Sequence, residues 1–309
     1  MSTRSPHTTN CNSDQWNLSR CCVGHAFRDH NVDVGISLDG PPDVNDRLRV
    51  DHGGRGSYVD VVSGISQLKH AQVPFHILSV VQFGSDGVRA HRHFLELGAQ
   101  AIDYLLPDFT HDNVAPIRNV YGPTPCSDYL LPIFDDWWFN GDMKVVIRLF
   151  WMMTRIILGG SDEVDLFGNR PLRFVFVETD GSIEGLDVLR VCQDGVAATG
   201  LCVQDADFID IEKRSSLHGQ AIFSGMPLPC SCEACPEEET CGGGYLPHRF
   251  SLRSGFDNPS VWCADIKKLF AHLPGNIITW CVRWYLRYPI SVAQMAEMTR
   301  KRGLAISPS

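Results

Sequence analysis

An α/β fold with a parallel sheet is predicted by three features of the first half of the chain. Short runs of β-branched and apolar residues recur between residues 32 and 107, each too short for a helix and nearly continuous in apolar character. Between them lie segments whose apolar residues repeat at three- and four-residue spacing, the mark of a helix packed along one face. Connections of this length suit right-handed crossovers, which lay successive strands parallel.

The elements follow in order. "VDVGISL" (32–38) reads as a strand, and "SYVDVVSGISQLKHA" (57–71) as a helix with Tyr58, Val61, Val62, Ile65 and Leu68 on one stripe. Ser57, three residues before Asp60, is the expected N-cap. "FHILSVVQF" (75–83) is a second strand, "VRAHRHFLELG" (88–98) a helix stopped by glycine, and "AIDYLLP" (101–107) a third strand. "SDYLLPIFDDWWF" (127–139) is helical, with Pro132 expected to kink it or move its start. Such strands predict a sheet buried on both faces. Chemistry in these folds sits at the C-terminal strand ends, which singles out "SLDGPPDVNDR", "QFGSDG" and "PDFTHDN".

Beyond residue 160 the texture changes. "RFVFVETDGSIEGLDVLRV" (173–191) reads as a hairpin turning at Asp180-Gly181. The rest, to about residue 264, is rich in Gly, Pro and Cys with little periodicity. A segment able to bury so little apolar surface calls for a metal staple.

With 309 residues and a net charge of -9, the chain lacks the cationic surface that phosphate backbones require, which excludes nucleic acid as a partner. The N-terminus has no apolar core of a secretory signal, so a cytoplasmic location is expected. Twelve cysteines in a reducing compartment point to metal binding or catalysis, not disulfides. Two apolar stretches, 145–160 and 277–292, are interrupted by Arg148, Arg155, Arg283 and Arg287, which excludes membrane spans. In the second, Arg283 and Arg287 share a face opposite Ile277, Cys281 and Trp284, giving an amphipathic helix.

The densest chemistry lies in "CSCEACPEEETCGGGYLPHRF" (230–250). Cys232, Cys235 and Cys241, with Cys263 further on, offer four thiolates, and a C-x2-C pair aims two sulfurs at one point. Spacing alone leaves two readings, a four-cysteine zinc site or an iron–sulfur cluster; zinc sites more often carry two C-x2-C pairs. Gly242, Gly243 and Gly244 suit a place where side chains would crowd a cluster or where φ must be positive. Cys230 reads as a bystander thiol, and Cys126, Cys192, Cys202 and Cys281 as small buried hydrophobes.

"CEACPEEETCGGGYLPHRF" with "GFDNPSVWCADI" (255–266) resembles the SPASM region of radical SAM enzymes that mature ribosomally made peptides. "VGISLDGPPDVNDRLRV" and "GRGSYVDVVSGI" resemble the second half of the radical SAM barrel in the same proteins, and "ETDGSIEGLD" their linking hairpin. The similarity covers residues 30–272, with particular likeness to maturases of the FxSxx type. It implies a partial radical SAM (β/α) barrel and a C-terminal iron–sulfur domain. The implied division is a residual N-terminal segment (1–31), the partial barrel (32–160), a SPASM-like auxiliary-cluster domain (161–272) and a C-terminal amphipathic helix and tail (273–309).

The resemblance also implies an activity: reductive cleavage of S-adenosyl-L-methionine to a 5'-deoxyadenosyl radical, hydrogen abstraction from a precursor peptide, and side-chain oxidation or crosslinking. Cys232, Cys235, Cys241 and Cys263 match the ligands of one auxiliary [4Fe-4S] cluster. A second is not expected, because Leu186 and Tyr245 stand where further ligand cysteines would be. Ser37, Asp39 and Arg49 are the implied cofactor-binding residues, although an Asp-Gly-Pro turn and a solvated arginine would use them without a cofactor. Asp187 matches an acid used as a base, with Glu178 and Glu184 as lesser candidates. His248 and Arg249 fit a structural contact under the cluster loop. His111, Asp112 and Asn113 either face the cavity or cap the next helix. A flavodoxin or ferredoxin reductant, or a partner chain, is the implied company.

The chain departs from the pattern at its start. The SAM-binding C-x3-C-x2-C motif is absent: Cys11, Cys21 and Cys22 have another spacing. The expectation is that about three βα units of the barrel are missing, through a late-starting gene model, degeneration, or completion by another chain.

Overall fold

The computed structural model describes residues 23–24, 26–140, 145–157, 166–167 and 170–287. They divide into two compact units, one within Met1–Val80, Val88–Leu105 and Asp142–Ile147, the other within Val81–Gly87, Leu106–Gly141 and Arg148–Ser309. Cys11, Cys21 and Cys22 lie outside the described residues, as do the side chains of the terminal helix beyond residue 276.

In the first unit, β1 (Val34–Ser37), β2 (Phe75–Val80), β3 (Ala101–Leu105) and β4 (Val146–Ile147) form one sheet in chain order, each pair parallel. The connections carry α1 (Tyr58–His70) and α2 (Gly87–Leu97), as the periodicity predicts. Phe75, Ile77, Ile102, Tyr104 and Ile147 are all buried, each contributing about 1.5–3 kcal/mol of apolar burial. α2 seals them with Phe94, whose ring packs 6.4 Å from that of Tyr104.

The opposite face of the sheet corrects an expectation. Ser37 pairs with Leu78 and Leu78 with Asp103, so the three form one row across β1, β2 and β3. All three are partly or fully exposed, as are Gly35, His76 and Ala101 in the next row. The sheet is therefore buried on one face only. That exposed face carries the polar Ser37, His76 and Asp103 beside the apolar Leu78.

A second correction concerns Ser57. It precedes α1 without capping it, because its Oγ accepts a hydrogen bond from Asn45 Nδ2 at 3.2 Å. Asp46 does the capping instead, its Oδ1 accepting the Tyr58 N–H at 3.0 Å.

The second unit holds α3 (Ala115–Tyr121), α4 (Pro125–Asp135), α5 (Arg148–Ile157) and α6 (Cys263–Arg287), with α6 packed on α4 and α5. α4 starts at Pro125, where a proline loses nothing by lacking its N–H. Pro132 sits inside the helix, and the chain widens into a π-turn over Asp136–Asn140. Leu130, Ile133, Phe134 and Phe150 fill the space beneath, with Phe134 and Phe150 edge to face at 5.2 Å.

The predicted hairpin is β5 (Phe176–Val177) against β6 (Ser182–Glu184), with Gly181 at φ 87° in the turn. β7 (Ala198–Cys202) pairs antiparallel on the other side of β6. Among the described residues, no helix is long and apolar enough to cross a membrane.

Candidate functional site

The cysteine loop is built by short-range turns and closed by one long-range bond. Pro229 O accepts the Cys232 N–H at 2.7 Å, and Cys232 O accepts that of Cys235 at 3.0 Å, which folds the C-x2-C pair back on itself. Cys241 ends a helical turn, after which Gly242, Gly243 and Gly244 take φ of 61°, 86° and 80°. Three successive left-handed residues require glycine. Space demands it as well: a Cβ on Gly243 would meet Pro229 Cδ at 2.9 Å, and one on Gly244 would meet Ser260 Cβ at 2.7 Å.

Gly243 O then accepts the Ser260 N–H at 3.0 Å, and Ser260 O accepts that of Cys263 at 2.9 Å. This pair of bonds brings the fourth cysteine, at the first turn of α6, to the other three. Cys232, Cys235, Cys241 and Cys263 line one cavity with Gly243, Pro259, Ser260 and Ile266. Cys230 does not; it is exposed, and its N–H and Sγ both bond Asp257.

Electrostatics agree with four thiols in one place. Burial pushes the Cys241 thiol up to about 12, and the nearby Cys263, Cys232 and Cys235 add to the effect. Cys232 and Cys263 are raised as well, again mainly by burial. Four such thiolates are stable together only when a cationic centre neutralises them. The helix N-terminus at Cys263 adds a favourable partial charge.

Four cysteine thiols lining one cavity are the donor set of a [4Fe-4S] cluster or of a four-cysteine zinc site.

His111, Asp112 and Asn113 neither point as a group into a cavity nor cap α3. His111 donates its N–H to Phe250 O at 3.0 Å and its Nε2 lies 2.8 Å from Pro259 O. Asp112 accepts the Leu252 N–H at 2.9 Å, while Asn113 accepts that of Thr110 at 2.8 Å. His111 and Asp112 pin the segment between the glycine loop and Cys263, while Asn113 closes its own turn. Arg249 is buried in that segment, as is His248, whose Nε2 lies 3.4 Å from Asp108 Oδ1.

On the hairpin, Glu178 and Glu184 both pair with Arg190. Asp187 is half-buried at the start of a 3-10 turn, its Oδ1 accepting the adjacent Val188 N–H at 2.8 Å. Leu186 belongs to an apolar cluster with Leu189, Ala197, Ala221 and Leu246, and Tyr245 packs on the same cluster and against the His248 ring.

In the first unit, Ser37 stands on the exposed face of the sheet. Asp39 does not: it is 3% exposed, with Arg49 Nε at 2.7 Å from Oδ2 and Nη2 at 3.1 Å from Oδ1, and the Val80 N–H donating to Oδ1 at 2.9 Å. The pair ties the loop after β1 to the end of β2. His76 and Asp103 share the exposed face with Ser37, and sequence reasoning passed over both. Each is the single polar residue on that face of its strand, and the apolar Leu78 and Val80 beside them leave no alternation in the sequence to mark them.

Arg49→Met leaves a carboxylate that is almost wholly buried short of two of its bonds, and a loss of about 1–3 kcal/mol in urea unfolding is expected. Asp39→Asn with Arg49→Met should recover part of it. A double-mutant coupling below about 0.5 kcal/mol would show that the pair does not hold the rim.

No family model matches the chain. Among curated proteins it is 24% identical over 246 residues to the cysteine-type anaerobic sulfatase-maturating enzyme of Clostridium perfringens (strain 13 / Type A), covering 77% of this chain and 65% of that protein. It is 22% identical over 265 residues to the serine-type enzyme of Bacteroides thetaiotaomicron, covering 80% of this chain and 63% of that one. The chain thus spans about 65% of the length of the curated relatives it matches. Among solved structures, native anSMEcpe with bound AdoMet and Kp18Cys peptide superposes with a TM-score of 0.68 at 22% identity, over 84% of this chain and 72% of that one. The homologues of this chain are therefore anaerobic sulfatase-maturating enzymes of the radical SAM/SPASM family, and its fold is theirs.

Proposed function

We propose that this chain is the peptide-modifying part of a radical SAM oxidoreductase, holding one auxiliary [4Fe-4S] cluster and oxidising a side chain of a precursor peptide. The observation that carries the proposal is the convergence of Cys232, Cys235, Cys241 and Cys263 on one cavity in a chain with this fold. The relatives act as cysteine-type and serine-type maturases, which favours oxidation of a single side chain over crosslinking.

S-adenosyl-L-methionine with its own cluster would supply hydrogen-atom abstraction, and a cluster held by Cys232, Cys235, Cys241 and Cys263 would supply an electron acceptor. This chain's residues do the rest. Ser37 presents a hydroxyl on the exposed sheet face toward the cofactor, and the Asp39–Arg49 pair fixes the rim from which it acts. Asp187, half-buried on the hairpin unit, accepts the proton that leaves the substrate as its second electron departs. A flavodoxin or ferredoxin is the proposed reductant, and the cytoplasm the proposed location. The partition at residues 31, 160 and 272 remains the proposed domain organisation.

The test is metal analysis of anaerobically purified protein, followed by incubation with S-adenosyl-L-methionine, a low-potential reductant and a Cys- or Ser-containing peptide. About four irons per chain are expected from the auxiliary site alone, and about eight if a second cluster is present. Iron without formation of 5'-deoxyadenosine would leave a non-catalytic, peptide-binding cluster protein. One zinc per chain would overturn the cluster reading.

A further inference from the structure

We propose that Arg249 sets the redox potential of the centre held by the four cysteines, as a buried positive charge that favours its reduced state; this rests on the cluster reading above. Arg249 is only 3% exposed, an environment in which a guanidinium is rarely placed without a charge to answer. Its hydrogen bonds go to neutral groups: Nη2 donates to Pro227 O at 2.7 Å and Nε to Phe256 O at 3.0 Å. Two carbonyls orient the group without cancelling its charge.

The third nitrogen points to the ligand loop. A Cβ built on Gly243 would lie 3.7 Å from Arg249 Nη1, and Arg249 shares a cavity wall with Gly242 and Gly244. The guanidinium therefore lies against the bare glycine run that follows Cys241. Burial lowers its affinity for the proton, while the charges of Cys232, Asp257 and Cys241 act to keep it cationic. Of these, Asp257 is exposed and bonded to Cys230, so the thiolates are the buried counter-charges.

Adding one electron to a thiolate-bound cluster makes it more negative by one charge, and a fixed cation inside the protein stabilises that state more than the oxidised one. In turnover the electron comes from the substrate as it is oxidised, so the device tunes the centre as an electron acceptor. Arginine suits the task because it stays charged when buried and is locked by its planar fork.

The experiment compares the full chain with Arg249→Met and Arg249→Lys, purified anaerobically, by iron content and by redox titration of the visible and paramagnetic signals. At the wild-type midpoint poise, Arg249→Met is expected to raise the oxidised-to-reduced ratio at least about tenfold, equivalent to about 59 mV for one electron, while Arg249→Lys moves it less than about threefold. Asp257→Asn, at an exposed position, is expected to shift the ratio the other way. Iron retained with an unmoved potential in Arg249→Met, or equal shifts in the Met and Lys variants, would overturn the assignment. If both variants lose iron, an Asp257→Asn potential equal to wild type or lower overturns it. Zinc in the wild type would remove the cluster reading itself, a separate failure visible before any titration.

Discussion

Replacing Cys241 with alanine is expected to strip the chain of iron, from about four per chain to less than about a tenth of that, with loss of the visible charge-transfer absorbance. Burial, with the neighbouring Cys263, Cys232 and Cys235 thiols, pushes the Cys241 thiol up to about 12. An isolated thiol there would stay protonated, so its usefulness depends on a metal centre displacing the proton. It also ends the turn that launches the glycine run, and through Gly243 it governs the approach of Ser260 and Cys263. Cys230→Ala is the control: that thiol is exposed and bonds Asp257, so its removal should leave iron unchanged. Full iron in Cys241→Ala, or loss of iron in Cys230→Ala, would refute the ligand assignment.

Trp262→Ala is expected to cost about 3–5 kcal/mol, among the largest single effects on stability. The side chain is completely buried. Its ring meets Phe83 at 5.6 Å, Phe109 edge-on at 5.9 Å and His248 edge-on at 6.4 Å, and its Nε1 donates to Pro107 O at 2.9 Å. Alanine would leave a cavity among three rings and an unanswered carbonyl. Because Trp262 precedes Cys263, looser packing should also weaken cluster retention. Trp262→Phe keeps most of the ring contact and gives up the hydrogen bond, at about 1 kcal/mol. Thermal unfolding should show a drop of roughly 6–15 °C for the alanine variant. A change under about 2 °C would mean that this aromatic cluster does not hold the unit together.

Much of the fold was legible because its signals are local. The two-residue and 3.6-residue periods come from backbone geometry alone, and they placed β1, β2, β3, α1 and α2 within a few residues of their observed bounds. β4 was not legible, since two residues carry no period. Ser57 misled for a related reason. A serine ahead of a helix looks the same in sequence whether its hydroxyl caps the helix or, as here, receives a bond from Asn45 twelve positions earlier.

The candidate site divides in the same way. The sequence by itself determined the helical and strand segments, the C-x2-C pair, the glycine run and the candidacy of Cys263, because each rests on residue type and short-range geometry. Tertiary structure brought Cys263 to the cavity of the other three thiols and gave Cys230, already a bystander in sequence, its partner Asp257. It also decided that Asp39 is held by Arg49 and Val80, that Ser37 shares an exposed face with His76 and Asp103, and that Arg249 is buried against the glycines. The physical reason is common to all of these. Burial, and the choice among competing hydrogen-bond partners, depend on which distant segments arrive at a point, and no local period encodes that.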